Sequence, residues 1–247
     1  MRYNILASIK GTTKYNEDVF GTNNNYFWVI DGATDLFECD KIIGVNVSEY
    51  VNLLSCKLNR LCNNKLTLND IMKKAVLNVS EDLLKDVDID DDLFNKLPNF
   101  AFVFCRVIDQ KLEYLILGDC YLIIDNDIIL TDNRISKFSD INKEKINAIL
   151  KDNADTESLR LDIFRKTRLM GNKEDGYLIG TMDCNSISNA ILGRIDNFSN
   201  IKLMTDGYFK FYEKYISFSE VVYYLFNDSE DLIYSKRDDA TIIEVII

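Results

Sequence analysis

Tyr26-Phe27-Trp28-Val29-Ile30-Asp31-Gly32 is the stretch around which the rest of the chain is organised. Five successive aromatic and branched residues, with no polar alternation, predict a strand covered on both faces. The run ends on a carboxylate. An apolar strand does not carry one cheaply, because the charge needs water, a cation or hydrogen-bond donors. The same pairing of strand and acid recurs along the chain. Leu112 to Leu117 closes on Gly118-Asp119, Lys202 to Met204 leads into Thr205-Asp206-Gly207, and Asp238-Asp239-Ala240-Thr241 opens the last strand. Asn16-Glu17-Asp18 adds a fifth acidic cluster near the start. Carboxylates converging from such distant places repel one another unless cations neutralise them. A site made wholly of oxygen ligands suits Mg²⁺ or Mn²⁺, and nothing favours zinc.

Working outward, residues 2–10 read as a strand and Gly11 to Asp18 as a connection. Val47, Val51, Leu54, Leu58 and Leu61 recur at helical spacing, as do Leu68, Ile71, Met72, Ala75, Val76, Val79 and Leu83. Thr67 with Asp70 predicts a cap for the second helix. The run Asp86 to Asp92 reads as a solvated acidic loop, since Asp91 and Leu97 stand where a calcium loop needs glycine and glutamate. Phe100 to Ile108 and Leu112 to Leu117 read as strands, and Tyr121 to Thr131 as a hairpin about Asp125-Asn126. Helices are predicted over 141–151 and 156–170, strands over 177–179, 187–192 and 202–204, short helices over 207–226, and a strand over 241–247. Strands and helices come in blocks, which favours antiparallel sheets with helices outside over a doubly wound parallel sheet.

The chain has 247 residues, 47% of them apolar, with one proline and ten glycines. No linker or repeat divides it, so residues 1–247 read as a single domain. A net charge of −11, from 29 basic and 40 acidic residues, repels phosphate backbones and anionic lipids. Neither nucleic acid nor a membrane is an expected partner. Met1 to Lys10 shows no secretory pattern, and no run of about 18 apolar residues exists. The six cysteines are scattered without a C-x-x-C pair, as reduced thiols of a cytoplasmic protein would be. The chain contains no histidine, and no cysteine has an arginine six residues after it. Histidine-based nucleophilic catalysis, histidine zinc sites and the cysteine-dependent phosphatase loop are thereby excluded.

The order of the acidic motifs resembles that of the protein phosphatase 2C family, the metal-dependent serine/threonine phosphatases, in the form of its small bacterial members. The matching segments are Asn16-Glu17-Asp18, Val29-Ile30-Asp31-Gly32, Leu117-Gly118-Asp119-Cys120, Leu203-Met204-Thr205-Asp206-Gly207 and Asp238-Asp239-Ala240-Thr241. Leu130-Thr131-Asp132-Asn133 is a weaker match after the third. The resemblance implies an α+β fold, a four-layer α/β/β/α sandwich in which two mainly antiparallel sheets pack face to face with helices outside. It also implies a hydrolase with Asp31, Asp119, Asp206 and Asp238 as its catalytic residues. Asp31 would bridge two divalent ions, Mn²⁺ or Mg²⁺, with the Gly32 carbonyl on one and Asp206 and Asp238 on the other. Glu17 and Asp18 would hold coordinated waters or an ion directly, and Asp119 the water network or a weaker third ion. A water activated by the two ions would attack phosphorus in line, without a covalent enzyme intermediate.

The chain departs from the family pattern in several places. Many members carry a phosphate-binding arginine four residues before the glutamate; here Thr13 stands there, with Lys14 beside it as the candidate substrate-binding cation. Lysine lacks the bidentate fork of arginine. Ala33 follows Gly32 where some members have a histidine, so water protonates the leaving group. Tyr121 replaces the arginine of the third motif, and Asp239 replaces an asparagine. Arg165-Lys166-Thr167-Arg168 reads as a solvated helix face, with recruitment of a phosphorylated or acidic partner as the alternative; the resemblance places residues 150–180 where the family carries a variable flap, from which these arginines would help substrate docking. The expected activity is dephosphorylation of phosphoserine and phosphothreonine in a protein partner by a monomer. The alternatives are an inactive phosphoprotein-binding module and a hydrolase of small phosphate esters.

Overall fold

In the computed structural model the described residues are 1–63, 65–89, 92–151, 156–212 and 238–247. Their elements run β1 (Arg2–Ile9), β2 (Asp18–Asn23), β3 (Tyr26–Ala33), α1 (Cys39–Ile43), α2 (Val47–Leu61), α3 (Leu68–Leu83), α4 (Leu93–Lys96), β4 (Asn99–Ile108), β5 (Lys111–Leu117), β6 (Tyr121–Ile124), β7 (Ile128–Thr131), α5 (Ser136–Lys151), α6 (Thr156–Arg168), β8 (Ile191–Asp196), β9 (Asn200–Met204), α7 (Asp206–Tyr212) and β10 (Ala240–Ile246). They form two five-stranded sheets, ordered β1-β10-β9-β6-β7 and β2-β3-β4-β5-β8, with antiparallel pairing throughout.

The opening stretch shows why the sheets stack. Strand side chains alternate between faces. Phe27 and Val29 enter the layer between the sheets, against Leu122, Leu203, Ile243 and Val245 of the other sheet. Trp28 and Ile30 point the other way, onto Val51, Leu54 and Leu58 of α2 and Ile71 and Met72 of α3. A strand used on both faces has no room for polar residues. The one polar atom of Trp28 is satisfied, its Nε1 donating to Ser55 Oγ at 2.9 Å. The outer face of the first sheet carries Ile123, Met204 and Ile242 against Tyr208 and Phe209 of α7. The layer order is therefore helix, sheet, sheet, helix.

Helices α2 and α3 start on side-chain caps. Asn46 and Glu49 form a full capping box on α2, and Thr67 accepts from the Asp70 amide at α3. None of the described helices is long and apolar enough to cross a membrane.

Three elements differ from expectation. β2 is a strand that the sequence pattern does not predict, since Gly11 to Asp18 reads as a connection and nothing is assigned to residues 19–23; it is half-covered, and Gly21 lies flat under the Trp28 indole, where a Cβ would come within 2.2 Å. Residues 177–179 are not a strand but a connection with isolated bridges, Gly171 to Tyr177 and Phe100 to Gly180. Ile187 to Leu192 begins instead as a 3₁₀ turn over Cys184–Asn189, capped by Asp183, and the strand follows at β8. β8 is an edge strand whose Leu192 is 63% exposed, so its apolar residues do not mark a buried run. Asp90 and Asp91 of the acidic run, and residues 213–226 of the predicted short helices, lie outside the described residues.

Candidate active site

All five acidic motifs arrive at one end of the sandwich, held there by backbone hydrogen bonds. Asp31 lies near the end of β3, directly across from Asp18 on β2. The Gly32 amide donates to the Glu17 carbonyl at 3.0 Å, and a Cβ on Gly32 would lie 2.8 Å from that oxygen. From the other sheet, Thr205 links the last two motifs. Its amide donates to the Thr241 carbonyl at 3.0 Å, and its hydroxyl accepts from the Thr241 amide at 3.0 Å. The same hydroxyl donates across to Asp18 Oδ2 at 2.8 Å, which ties the two sheets together at the acid cluster. Asp239 accepts from the Gly11 and Glu17 amides, each at 2.6 Å, so the residue that departs from asparagine anchors the first motif.

Asp119 follows a sharp turn. Gly118 has φ of 76°, and a Cβ there would meet Ala101 at 2.6 Å, so glycine is required on both counts. Asp132, only 1% exposed, accepts from the Gly118 amide at 3.3 Å and is itself held by Arg134. The weak fourth motif therefore braces the turn that presents Asp119.

Asp31, Gly32, Asp119, Asp206 and Asp238 line one cavity of about 530 Å³. Its other wall comes from α5, α6 and the segment after them, with Phe138, Arg160, Arg168 and Tyr177. The carboxylates suffer from burial and from one another. Burial pushes the Asp31 carboxyl well above its usual range, and Asp18, Asp206, Asp238 and Asp119 push it further. Burial raises Asp18 as well, against hydrogen bonds from Thr205 and Thr241. Asp119 is pushed up to about 7 by burial and then by Asp206. Glu17 also rises to about 7, chiefly by burial, while a hydrogen bond from Thr34 works the other way. Asp238 is raised by desolvation and by Asp206, although its side chain is 55% exposed at the rim.

One cation already answers this charge. Lys210 Nζ stands 2.8 Å from Asp206 and 3.1 Å from Asp238. Burial would lower its pKa, but the two carboxylates outweigh that and raise it. Lys210 sits four residues after Asp206 on α7, so the pair was legible as an i, i+4 contact; its reach to Asp238 was not. Among the described residues, no three acidic side chains close tightly enough on a common point to enclose an ion as they stand. The donor chemistry nonetheless fits divalent cations: every candidate ligand is an oxygen, the carboxylates repel, and two of them share a single ammonium.

Of the predicted site residues, the cavity thus gathers Asp31, Gly32, Asp119, Asp206 and Asp238, with Glu17 and Asp18 just behind them. Lys14 is placed elsewhere: its ammonium stands 4.9 Å over the Tyr15 ring on the exposed surface, and it does not line the cavity, whereas Thr13 does. Sequence reasoning did not single out Tyr177, and could not choose Arg168 from its neighbours in the Arg165–Arg168 run.

No family model and no curated protein matches this sequence. Solved structures do match in fold. The serine/threonine phosphatase Stp1 from Staphylococcus aureus superposes with a TM-score of 0.55 at 12% identity, over 100% of this chain and 95% of that one. The PstP/Ppp serine/threonine phosphatase of Mycobacterium tuberculosis gives 0.55 at 14% identity, over 100% and 98%. The catalytic domain of the phosphatase PstP in complex with two manganese ions gives 0.55 at 12% identity, over 98% and 96%. This chain has a phosphatase 2C-like fold. The likeness is one of fold, because identity is low.

On the phosphatase 2C-like scaffold the acids occupy the end where strands of both sheets finish. The cavity is therefore lined by carboxylates on the sheet side and by cationic and aromatic groups on the helix side. Such a cavity can take a divalent cation and an anionic ester together, each offsetting the charge that the other meets.

Proposed function

We propose that this protein is a metal-dependent phosphomonoesterase that removes phosphate from phosphoserine and phosphothreonine in proteins, acting as one 247-residue catalytic domain. The observation that carries the reading is the convergence of Asp31, Asp119, Asp206 and Asp238, from both sheets, on one cavity. Two Mn²⁺ or Mg²⁺ ions would supply positive charge against the phosphoryl oxygens and acidify water for attack at phosphorus. The chain's residues do the positioning. Asp31 projects from β3 between the acids of the two sheets, with the Gly32 carbonyl beside it. Asp206 at the first residue of α7, Asp238 two residues before β10 and Asp119 after β5 line the same cavity. Glu17 and Asp18 stand behind Asp31 as holders of ordered water. Ile135, Phe138, Ile146 and Ile179 wall the cavity with apolar surface that limits access of bulk water. With no histidine in the chain, water supplies the proton to the leaving alkoxide.

A phosphoprotein-binding module without turnover is the second reading. Thr13 at the arginine position favours it, as does the ammonium of Lys210 between Asp206 and Asp238.

Hydrolysis of an aryl phosphate and of phosphopeptides, in EDTA, Mg²⁺ or Mn²⁺, tests the proposal. Activity should require the metal and fall at least about 100-fold in both Asp31→Ala and Asp206→Ala. Equal rates in either variant would sink the mechanism. Metal binding without turnover would favour the module, and a preference for phosphosugars or nucleotides would replace the protein substrate by a small ester.

A further inference from the structure

The cavity wall built by α5 and α6 carries a guanidinium, that of Arg168, that forms no ion pair among the described residues. Arg168 is the last residue of α6, and it lines the cavity with Asp31 and Asp206. The end of its helix is fixed: Arg165 Nε donates to the Leu36 carbonyl at 2.7 Å and its guanidinium stands 5.5 Å from the Phe37 ring centre. Arg168 Nη2 donates to the Thr34 carbonyl at 3.2 Å, and Tyr177 lines the same cavity beside it, close enough for its phenol to favour the arginine's charge. Tyr177 is 3% exposed and packs against Phe138 at 5.3 Å, so it cannot swing away cheaply.

Both of those partners are neutral. Among the described residues Arg168 makes no ion pair within 4.0 Å, whereas Lys210 at the rim of the same cavity pairs with both Asp206 and Asp238. Burial works against its charge, and Asp35 and Glu17 support it only from beyond contact distance. A half-buried, pre-oriented and unpaired fork on a cavity wall is an anion site in want of its anion. Arginine suits a phosphoryl group in particular, because its parallel N–H groups match two oxygens at once.

We propose that Arg168 binds the phosphoryl oxygens of the substrate, with Tyr177 as its positioning residue, in place of the arginine that Thr13 lacks. The assignment rests on the phosphomonoesterase reading. The phosphate would lie between the guanidinium on the α6 side and the carboxylate cluster on the sheet side. Substrate thus closes an electrostatic gap between two walls of opposite charge. Lys14, stacked on Tyr15 outside the cavity, takes no part.

The test compares wild type, Arg168→Ala, Arg168→Lys, Tyr177→Phe and Lys14→Ala. Readouts are KM and kcat for an aryl phosphate with Mn²⁺, and the inhibition constant of inorganic phosphate. Arg168→Ala should raise KM and the phosphate constant together, by roughly 10- to 100-fold, as expected for loss of a charge-assisted bidentate contact. Arg168→Lys should recover only part of this, because it restores charge without the fork. Tyr177→Phe should give a smaller loss of the same kind, and Arg168→Lys should leave it with little further effect. If Arg168→Ala fails to fold by circular dichroism, Arg168→Lys decides, since unchanged constants there overturn the assignment. A loss that appears in Lys14→Ala and not in the Arg168 variants also overturns it. Should the wild type hydrolyse nothing, the phosphomonoesterase reading fails separately. Calorimetry with inorganic phosphate then decides on Arg168: weaker binding in Arg168→Ala supports it, and equal or absent binding in both proteins overturns it.

Discussion

Replacing Asp119 by asparagine should make the metal-free protein more stable, and the gain should depend on pH in a defined way. The Asp119 carboxyl rises from an ordinary 3.8 to about 7 in the fold, through burial and then Asp206. A raised carboxylate favours its protonated form. It therefore costs the fold nothing below about pH 4, a growing amount as pH rises, and the full amount above pH 7. A shift of about three units corresponds to about 4 kcal/mol at about 1.36 kcal/mol per unit. The charges of Asp206 and Asp238 act on Asp119 and can relax when it changes, so about 2–4 kcal/mol is the range for one substitution. In a chain of this size that equals roughly 4–16 °C in Tm. Asparagine keeps the shape and the acceptor oxygen while removing the charge. The assay is urea and thermal unfolding of both proteins in EDTA, at pH 8 and pH 4.5. Asp119→Asn should be the more stable at pH 8, with the gain falling to about 1 kcal/mol or less at pH 4.5. Adding Mn²⁺ should stabilise the wild type more than the variant. A variant that is less stable at pH 8, or a gain equal at both pH values, would refute the electrostatic account of this site.

Lys210→Met should cost the metal-free protein no more than about 1 kcal/mol, since the lysine side chain is 56% exposed and its pairs with Asp206 and Asp238 are screened. It should also tighten Mn²⁺ binding measured by calorimetry, because a tethered ammonium no longer competes for those carboxylates; equal affinity would show that Lys210 does not compete. Gly207→Ala should destabilise the protein by roughly 1–3 kcal/mol or more and weaken Mn²⁺ binding, because a Cβ would stand 1.9 Å from the Asp239 carbonyl and only backbone movement can relieve it. Wild-type unfolding and metal affinity in that variant would mean that the turn before β10 is soft.

The layers of the fold were legible because one physical rule, the burial of strand faces, applies to them strongly. Tyr26 to Ile30 and Phe100 to Ile108 are apolar on both faces, and only a strand between two packed layers needs that. β2 went unpredicted and β8 was displaced for the converse reason. Edge and half-covered strands bury little, so their sequences carry little pattern, and Ile191 and Leu192 misplaced a boundary by looking like core. The acids of the site were legible because each breaks an apolar strand. Its cations were not. Lys14, next to the vacant arginine position, was the local choice, yet its side chain leaves the cavity. Arg168 reaches the cavity only through the docking of α6 on residues 34–37, a contact between segments about 130 residues apart, with no signature in either.

That division follows from how the charges are held. Asp239 is fixed by two backbone amides, Asp18 by Thr205, and the Asp119 turn by Asp132. These bonds keep the carboxylates from spreading apart, so their repulsion is expressed as raised proton affinity rather than relaxed by movement. A fold that spends stability in this way gains by capturing positive charge, since whatever binds only the folded state adds its binding free energy to folding. Lys210 supplies part of that charge from within the chain at the rim, where solvent weakens it. Asp31, buried and pressed by Asp18, Asp206, Asp238 and Asp119, has no cation paired with it among the described residues. On the other wall Arg168 is tied to the Thr34 carbonyl and pairs with none of these carboxylates among the described residues. Two fixed, separated and opposite charge sets leave a gap suited to a cation and an anion together, and a phosphate ester bound with a divalent ion meets both demands at once.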